Sequence, residues 1–144
     1  MRTRTPIVLV LDRLAVELVA ITNAAIASVG EGDLSFAQWR LLMVLGGAAE
    51  PLRLNVIAAR ISASMPSASR LVARMERRGF VTSSRDPIDG RGRRIVLTAT
   101  GQAVRDRVVE RRRASLAERL GSLSLEAAVT AGLTEIVEVL SNPE

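Results

Sequence analysis

The sequence predicts a mainly α-helical fold that contains a β-hairpin, and three features of the chain support this prediction. Residues 64–79 form an amphipathic pattern that begins with a capping serine and ends at a glycine, which is typical of a short helix. Residues 80–85 and 93–98 are rich in Val, Ile, Thr and Phe, and Asp89-Gly90 lies between them, as expected for a hairpin. Long apolar helical stripes precede and follow this unit. Together these features predict a winged helix-turn-helix with a β-hairpin wing and long helices at both ends.

The composition is that of one globular domain with an excess of positive charge. The 144 residues are 48% hydrophobic and carry a formal net charge of +5, and every basic residue is an arginine. Cysteine and histidine are absent, which excludes disulfides, thiol chemistry, Ser-His catalytic pairs and the usual zinc sites. No pair of acids suggests a catalytic cleft. We therefore predict a protein that is not an enzyme and that needs no metal or cofactor.

The apolar run near the N-terminus is interrupted by charged residues. Asp12, Arg13 and Glu17 follow the segment IVLVL, so the run is too short for a signal peptide or a membrane span. We expect a soluble, cytoplasmic protein that does not interact with membranes.

Basic residues concentrate on the predicted helix and hairpin at the centre of the chain. Between Arg70 and Arg94 eight arginines stand against three acids. The exposed face of the helix carries small polar residues at its N-terminal end and guanidinium groups beyond them, an arrangement that suits the DNA major groove. An isolated run of arginines is usually only a solvated surface. A basic helix beside a basic hairpin favours double-stranded DNA as the partner.

Two segments, RLVARMERRGFV and RDPIDGRGRRIVLTATG, resemble the MarR family of winged-helix transcriptional regulators. The wing signature of that family is an Asp, an Arg two residues later and a Leu-Thr pair leading into a helix, and Asp89, Arg91, Leu97 and Thr98 match it. The resemblance implies that Arg91 enters the minor groove, where the negative potential favours an inserted arginine, and that Asp89 supports the wing. The predicted DNA-contacting residues are Pro66, Ser67, Ser69, Arg70, Arg74, Arg77, Arg91, Arg93 and Arg94.

Most of the predicted helices begin at a residue that favours a helix start. These residues are Pro6, Ser35 (which forms a capping box with Gln38), Ser64, Thr98 and Ser124. The exception is the short helix within residues 52–62, because Arg53 stands where the family usually has a capping hydroxyl. Asn55 is an alternative cap for it. The last helix is expected to end at Asn142-Pro143.

The long apolar helices outside the lobe have two plausible uses. They complete the core of one monomer, or they form a two-fold dimer that brings two recognition helices to half-sites one helical turn apart. The family resemblance favours the homodimer. We accordingly predict a single domain over 1–144, with dimerisation helices at 6–29 and 99–141 and a DNA-binding lobe at 34–98.

The resemblance also implies a small-molecule effector, commonly an anionic aromatic compound, bound between the dimerisation helices and the lobe. The residues expected in that region are Leu14, Leu18, Phe36, Trp39, Arg40 and Met43. Alternatively, Phe36 and Trp39 are ordinary core residues. The leading hypothesis is a homodimeric, ligand-responsive repressor that binds a near-palindromic operator. The alternatives are a sequence-tolerant architectural DNA-binding protein and a winged-helix protein-interaction module.

Overall fold

A computed structural model describes residues 6–30, 34–121, 123 and 127–141, and within them the chain forms six helices and three short strands. In chain order these are α1 (Pro6–Val29), α2 (Phe36–Gly46), β1 (Leu52–Arg53), α3 (Leu54–Arg60), α4 (Met65–Arg77), β2 (Val81–Arg85), β3 (Arg93–Leu97), α5 (Ala99–Leu120) and α6 (Ala127–Ser141). The predicted winged helix-turn-helix with long helices at both ends is confirmed.

The predicted caps of α2, α4 and α5 are confirmed. The Ser35 hydroxyl accepts from the backbone N–H of Gln38, whose side chain accepts in return from the N–H of Ser35 at 2.9 Å. Ser64 caps α4 by accepting from the N–H of Ser67, and Thr98 caps α5 in the same way. These bonds satisfy amide groups that have no partner within the helix. The predicted start and end of the last helix, Ser124 and Asn142-Pro143, lie outside the described residues.

The start of α3 differs from the prediction. Arg53 is the N-cap residue and makes no capping bond with its side chain, whereas Asn55 lies inside the helix, so the alternative cap at Asn55 was wrong. Instead, the chain before α3 is held by β1, which pairs antiparallel with β3 through Leu52–Ile95 and Arg53–Arg94. A strand of two residues has no periodic pattern, and the sequence did not predict it.

The sheet has the strand order β1-β3-β2 and is antiparallel throughout. Pairing between β2 and β3 runs from Val81–Leu97 to Arg85–Arg93, so each wing strand is one residue shorter than predicted. Gly79 adopts a positive φ of 74°, which lets the chain turn from α4 into β2.

The hydrophobic core lies in the lobe between α2, α3, α4, β3 and the first half of α5. Its largest fully buried apolar side chains are Leu41, Leu42, Ile57, Met75, Val81, Ile95, Val104 and Val108. Within α2, Leu41 is fully buried, whereas Phe36 and Met43 are only partly buried. Val104 and Val108 of α5 are buried in this core, but Leu120 near the end of the same helix is 43% exposed.

The outer helices expose apolar surface. Helix α1 packs on α5, yet its buried residues all lie in its C-terminal third, at Thr22, Ala25 and Ile26. Helix α6 has no buried residue. The large exposed apolar residues of these two helices are Ile7, Val8, Leu9, Val10, Leu14, Val16, Val19, Val129, Leu133, Val137, Val139 and Leu140. Among the helices that the structure describes, none is both long and apolar enough to span a lipid bilayer.

Candidate nucleic-acid interface

Helix α4 divides cleanly into a buried face and an exposed face. Ala68, Val72 and Met75 are buried against the lobe. The opposite, exposed side carries the predicted DNA-contacting residues of this helix, which are Pro66, Ser67, Ser69, Arg70, Arg74 and Arg77. The small side chains lie at the N-terminal end and the arginines beyond it, as expected for a helix whose N-terminal end approaches base edges.

The N-terminal end of α4 is ordered by hydroxyl contacts. The Ser64 hydroxyl donates to the Ser67 hydroxyl at 3.0 Å, and a guanidinium N–H of Arg70 donates to that same Ser67 oxygen at 3.2 Å. These bonds hold the side chains of Ser67 and Arg70 in one arrangement, so these two side chains would lose less conformational entropy on binding a ligand. Arg78, although it belongs to the same basic segment, lies over the Phe80 ring at 4.7 Å and donates to Gln38.

The wing is tied to α4 through Glu76. A Glu76 carboxylate oxygen accepts from the Ser83 hydroxyl at 2.6 Å and from the Arg93 guanidinium at 3.2 Å, and Arg93 also donates to Ser83. Arg93, predicted as a DNA contact, is 62% exposed and is therefore accessible while it holds the base of the wing to the helix. Glu76 was not singled out from the sequence.

The wing tip has the arrangement that the Asp-x-Arg spacing suggests. The backbone N–H of Arg91 donates to the Asp89 carboxylate at 3.2 Å, and the N–H of Gly92 donates to the Asp89 carbonyl at 2.8 Å. Arg91 and Ile88 are exposed at the tip. Asp89 thus closes the turn that presents the Arg91 side chain.

The buried anchor of the wing is Asp86, which sequence reasoning missed. Its side chain has no exposed surface. One carboxylate oxygen lies 2.7 Å from Arg53 and 3.2 Å from Arg94, while the other accepts from the backbone N–H of Ile88 at 2.9 Å. A buried carboxylate requires such partners, because an unpaired buried charge is strongly unfavourable.

This anchor explains two residues of the sequence. Arg53 and Arg94 lie directly opposite each other on β1 and β3, where two like charges destabilise a sheet unless something neutralises them. Asp86 supplies the negative charge. Its ion pair with Arg53 connects the base of the wing to the start of α3. Arg94, predicted as a DNA contact, is only 22% exposed and faces this carboxylate. The absence of a capping hydroxyl at Arg53 was the one sequence signal of this arrangement.

The environment of Asp86 makes the anchor sensitive to strong acid. Hydrogen bonds lower the pKa of the Asp86 carboxyl from 3.8 to about 2, although burial acts in the opposite direction. The backbone N–H of Ile88 contributes most, and Arg94, the backbone N–H of Asp89 and Arg53 also lower the pKa. In the unfolded chain this carboxyl takes up its proton first as the pH falls. The stability that ionised Asp86 contributes is therefore complete above its ordinary pKa of 3.8 and is lost as the pH falls toward about 2.

We expect Asp86→Asn to lower the urea midpoint of unfolding at pH 7, because it leaves Arg53 and Arg94 facing each other without a counter-charge. The difference from the wild-type protein should shrink as the pH falls through the range between the two pKa values. Urea unfolding followed by circular dichroism at several pH values measures this. The exposed Asp89→Asn serves as the control and should have the smaller effect. Equal midpoints for both variants at pH 7 would contradict the role of Asp86.

The residues predicted to surround an effector do not share one environment. Trp39 is buried in the core, and Phe36 packs against it with ring centroids 5.6 Å apart, which supports the alternative that both are core residues. Leu18 is half-buried and Leu14 is exposed on α1. Arg40 lines a cavity beside α4 instead, where its neighbours come from α2, α4 and the turn between α3 and α4.

The comparison with family models shows which family the lobe resembles. Residues 32–92 match the model described as the MarR family, from the approach to α2 to the loop of the wing. This part of the chain is similar to the MarR family. Solved structures of MarR-family transcriptional regulators, such as one from Rhodococcus sp. RHA1, share its fold with a TM-score of 0.76 at 21% identity over 99% of both chains. No curated protein matches the sequence significantly.

Other solved structures share this fold over 90% or more of the chain. RV1404 from Mycobacterium tuberculosis is 24% identical over 99% of both chains, with a TM-score of 0.82. CouR from Rhodococcus jostii RHA1, bound to p-coumaroyl-CoA, is 21% identical over 99% of this chain and 98% of its own, with a TM-score of 0.77. PcaV from Streptomyces coelicolor, in complex with its natural ligand, is 22% identical over 90% of each chain, with a TM-score of 0.63.

Proposed function

We propose that this protein is a homodimeric, sequence-specific DNA-binding repressor that acts by binding and not by catalysis. The observation that carries the proposal is the exposed basic face of α4 beside a wing whose tip presents Arg91. Arginine pairs with guanine edges and phosphates in the major groove and is attracted to narrow minor grooves, so the two elements suit adjacent grooves of one duplex. The operator is near-palindromic because a two-fold dimer carries two identical lobes.

The dimer is supported by the apolar surface of the outer helices. Exposed apolar side chains follow one another along α1 and α6, and such contiguous surface is unfavourable in water unless another chain covers it. An interface of α1 and α6 from both chains leaves α4 and the wing accessible. We infer that α1, within the predicted range 6–29, and α6, within the predicted range 99–141, supply the dimer interface.

The response to a ligand is proposed from the relatives. CouR was solved with p-coumaroyl-CoA and PcaV with its natural ligand, so proteins of this fold hold small molecules. For this chain we propose an effector whose binding weakens the complex with DNA.

The decisive experiment is a fluorescence-anisotropy titration with the duplex upstream of the protein's own gene and with a scrambled duplex, each at two salt concentrations. We expect salt-dependent binding that prefers the native duplex by about a thousandfold. Equal affinity for both duplexes would contradict sequence-specific regulation at this promoter and favour an architectural protein. Failure to bind either duplex at low salt would favour a protein-interaction module.

Arg91→Ala should weaken binding to the specific duplex by about 1–3 kcal/mol, because a base-contacting arginine at the wing tip would be lost. The same anisotropy titration measures the effect. Arg111→Ala, which removes an exposed arginine from α5 far along the chain from the wing, is the matched control and should change the affinity little. An unchanged affinity in the Arg91 variant would remove the wing from the mechanism.

A further inference from the structure

Glu76 is the only acidic residue of α4, and it lies on the side of the helix that faces the wing. Ser69 and Ala73 share that side at helical spacing, and the three residues line a cleft of about 100 Å³ between α4 and the sheet. Ser83 and Arg93 of the wing strands line the same cleft. A negative charge therefore lies between the two elements that are proposed to contact DNA.

We propose that Glu76 determines how well the protein distinguishes an operator from other DNA. It neutralises Arg93, which weakens binding to any duplex, and it holds the wing beside α4, which favours the operator alone. The inference rests on the proposed function, because it concerns how the same face selects its DNA. Glu76 acts through Arg93 and Ser83, so it is a positioning residue and not a DNA contact.

The Arg93 guanidinium is paired with a carboxylate before any DNA binds. One of its nitrogens lies 3.2 and 3.5 Å from the two carboxylate oxygens of Glu76. A phosphate that approaches Arg93 meets the negative charge of Glu76 as well, so the pair offers no net charge to the DNA backbone. By contrast, Arg70 and Arg74 on the exposed face of α4 form no ion pair with a carboxylate within the described ranges.

Neutralising Arg93 weakens binding to DNA of arbitrary sequence. Such binding depends on phosphate contacts and on the counterions that these contacts release. An arginine that is already paired with a carboxylate adds little to this release. Glu76 therefore lowers the affinity for every duplex through this contribution.

The contact with the wing acts on the operator complex alone. Glu76 accepts from the Ser83 hydroxyl at 2.6 Å, and Arg93 donates to both side chains, so β2 and β3 are joined to α4 at one point. Reading an operator requires α4 and the Arg91 tip in one relative position, and a wing held there before binding loses less conformational entropy. Arbitrary DNA requires no such register. The lost affinity is therefore regained only on the operator.

Anisotropy titrations of Glu76→Gln with the native and scrambled duplexes at several salt concentrations test the role of the charge. The glutamine keeps an acceptor for Ser83 but no longer neutralises Arg93. We expect the scrambled duplex to bind about threefold more tightly for each lobe, and the slope of log K against log salt to steepen by about 0.9 for each lobe, as for one further phosphate contact. Unchanged slopes, or weaker binding to both duplexes as a merely structural role would give, would overturn the inference.

Two further variants separate this role from the overall charge. In the double variant Glu76→Gln, Arg93→Ala the gain should vanish, because the released guanidinium group is absent. Glu110→Gln removes the same charge from the exposed surface of α5 and should leave the slope unchanged. A gain that persists without Arg93, or that Glu110→Gln reproduces, would refute the role of the Glu76–Arg93 pair.

Glu76→Ala tests the positioning of the wing, because it removes the charge and the bonds to Ser83 and Arg93 together. The scrambled duplex should again bind more tightly while the native duplex does not, so the ratio of the two affinities should fall about tenfold for a dimer. An unchanged ratio would overturn this half of the inference. Wild-type protein that binds both duplexes equally, or neither, would refute the proposed function and the inference together. A wild-type preference for the native duplex that the Glu76 variants leave unchanged would refute the inference alone.

Discussion

Val137→Glu is expected to dissociate the proposed dimer and to weaken binding to a two-half-site operator about a hundredfold. Val137 lies on α6 and is 61% exposed in the single chain, within the apolar surface that we assign to the dimer interface. A glutamate there would bury an unpaired charge on association, which is strongly unfavourable. A monomer binds one half-site at a time. It therefore lacks the increase in affinity that comes from linking two binding events.

Analytical ultracentrifugation gives the oligomeric state of this variant, and anisotropy gives its DNA affinity. The matched control is Ala131→Glu, which introduces the same charge on the opposite face of α6, beside Glu135 and Glu138, and should remain a dimer. Arg91→Ala provides the converse control, because it should weaken DNA binding and leave the dimer intact. A Val137 variant that stays dimeric would exclude this face of α6 from the interface.

Gly101→Ala is expected to destabilise the fold by about 2–3 kcal/mol, even though alanine is the better helix former by up to about 1 kcal/mol. Gly101 lies in the first turn of α5, and a Cβ atom there would come within 1.9 Å of the Phe80 carbonyl oxygen. That oxygen accepts from the backbone N–H of Thr98 at 3.1 Å, so it cannot move without loss of this bond. We therefore expect the added methyl group to push the start of α5 away from Phe80, the residue that precedes β2.

Urea unfolding at one protein concentration measures this loss, since the stability of a dimer depends on concentration. Thr100→Ala is the control, because Thr100 is the exposed neighbour of Gly101 in the same helical turn. Its unfolding free energy should differ little from that of the wild-type protein. Equal stabilities for the two variants would show that the contact between α5 and Phe80 has room to relax.

Most of the secondary structure of the lobe was predictable because it depends on neighbours along the chain. The capping box of Ser35 and Gln38, the cap at Ser64 and the wing turn closed by Asp89 each involve residues two or three positions apart. Local bonds of this kind leave a residue pattern that can be recognised. The exposed arginines of α4 were predictable for the same reason, since helical periodicity separates them from the buried face.

The sequence by itself therefore determined the winged helix-turn-helix, the exposed basic face of α4 and the family resemblance that the comparison confirmed. Tertiary structure alone decided the anchor of the wing, in which Asp86 meets Arg53 from 33 positions away, and the strand β1, which is recognisable only by its pairing with Ile95. It also decided that Arg40, Arg70 and Arg74 line one cavity. A pairing between charges distant in the chain has no period and no local signature, because only the packing of α2, α4 and the sheet brings such groups within reach of each other.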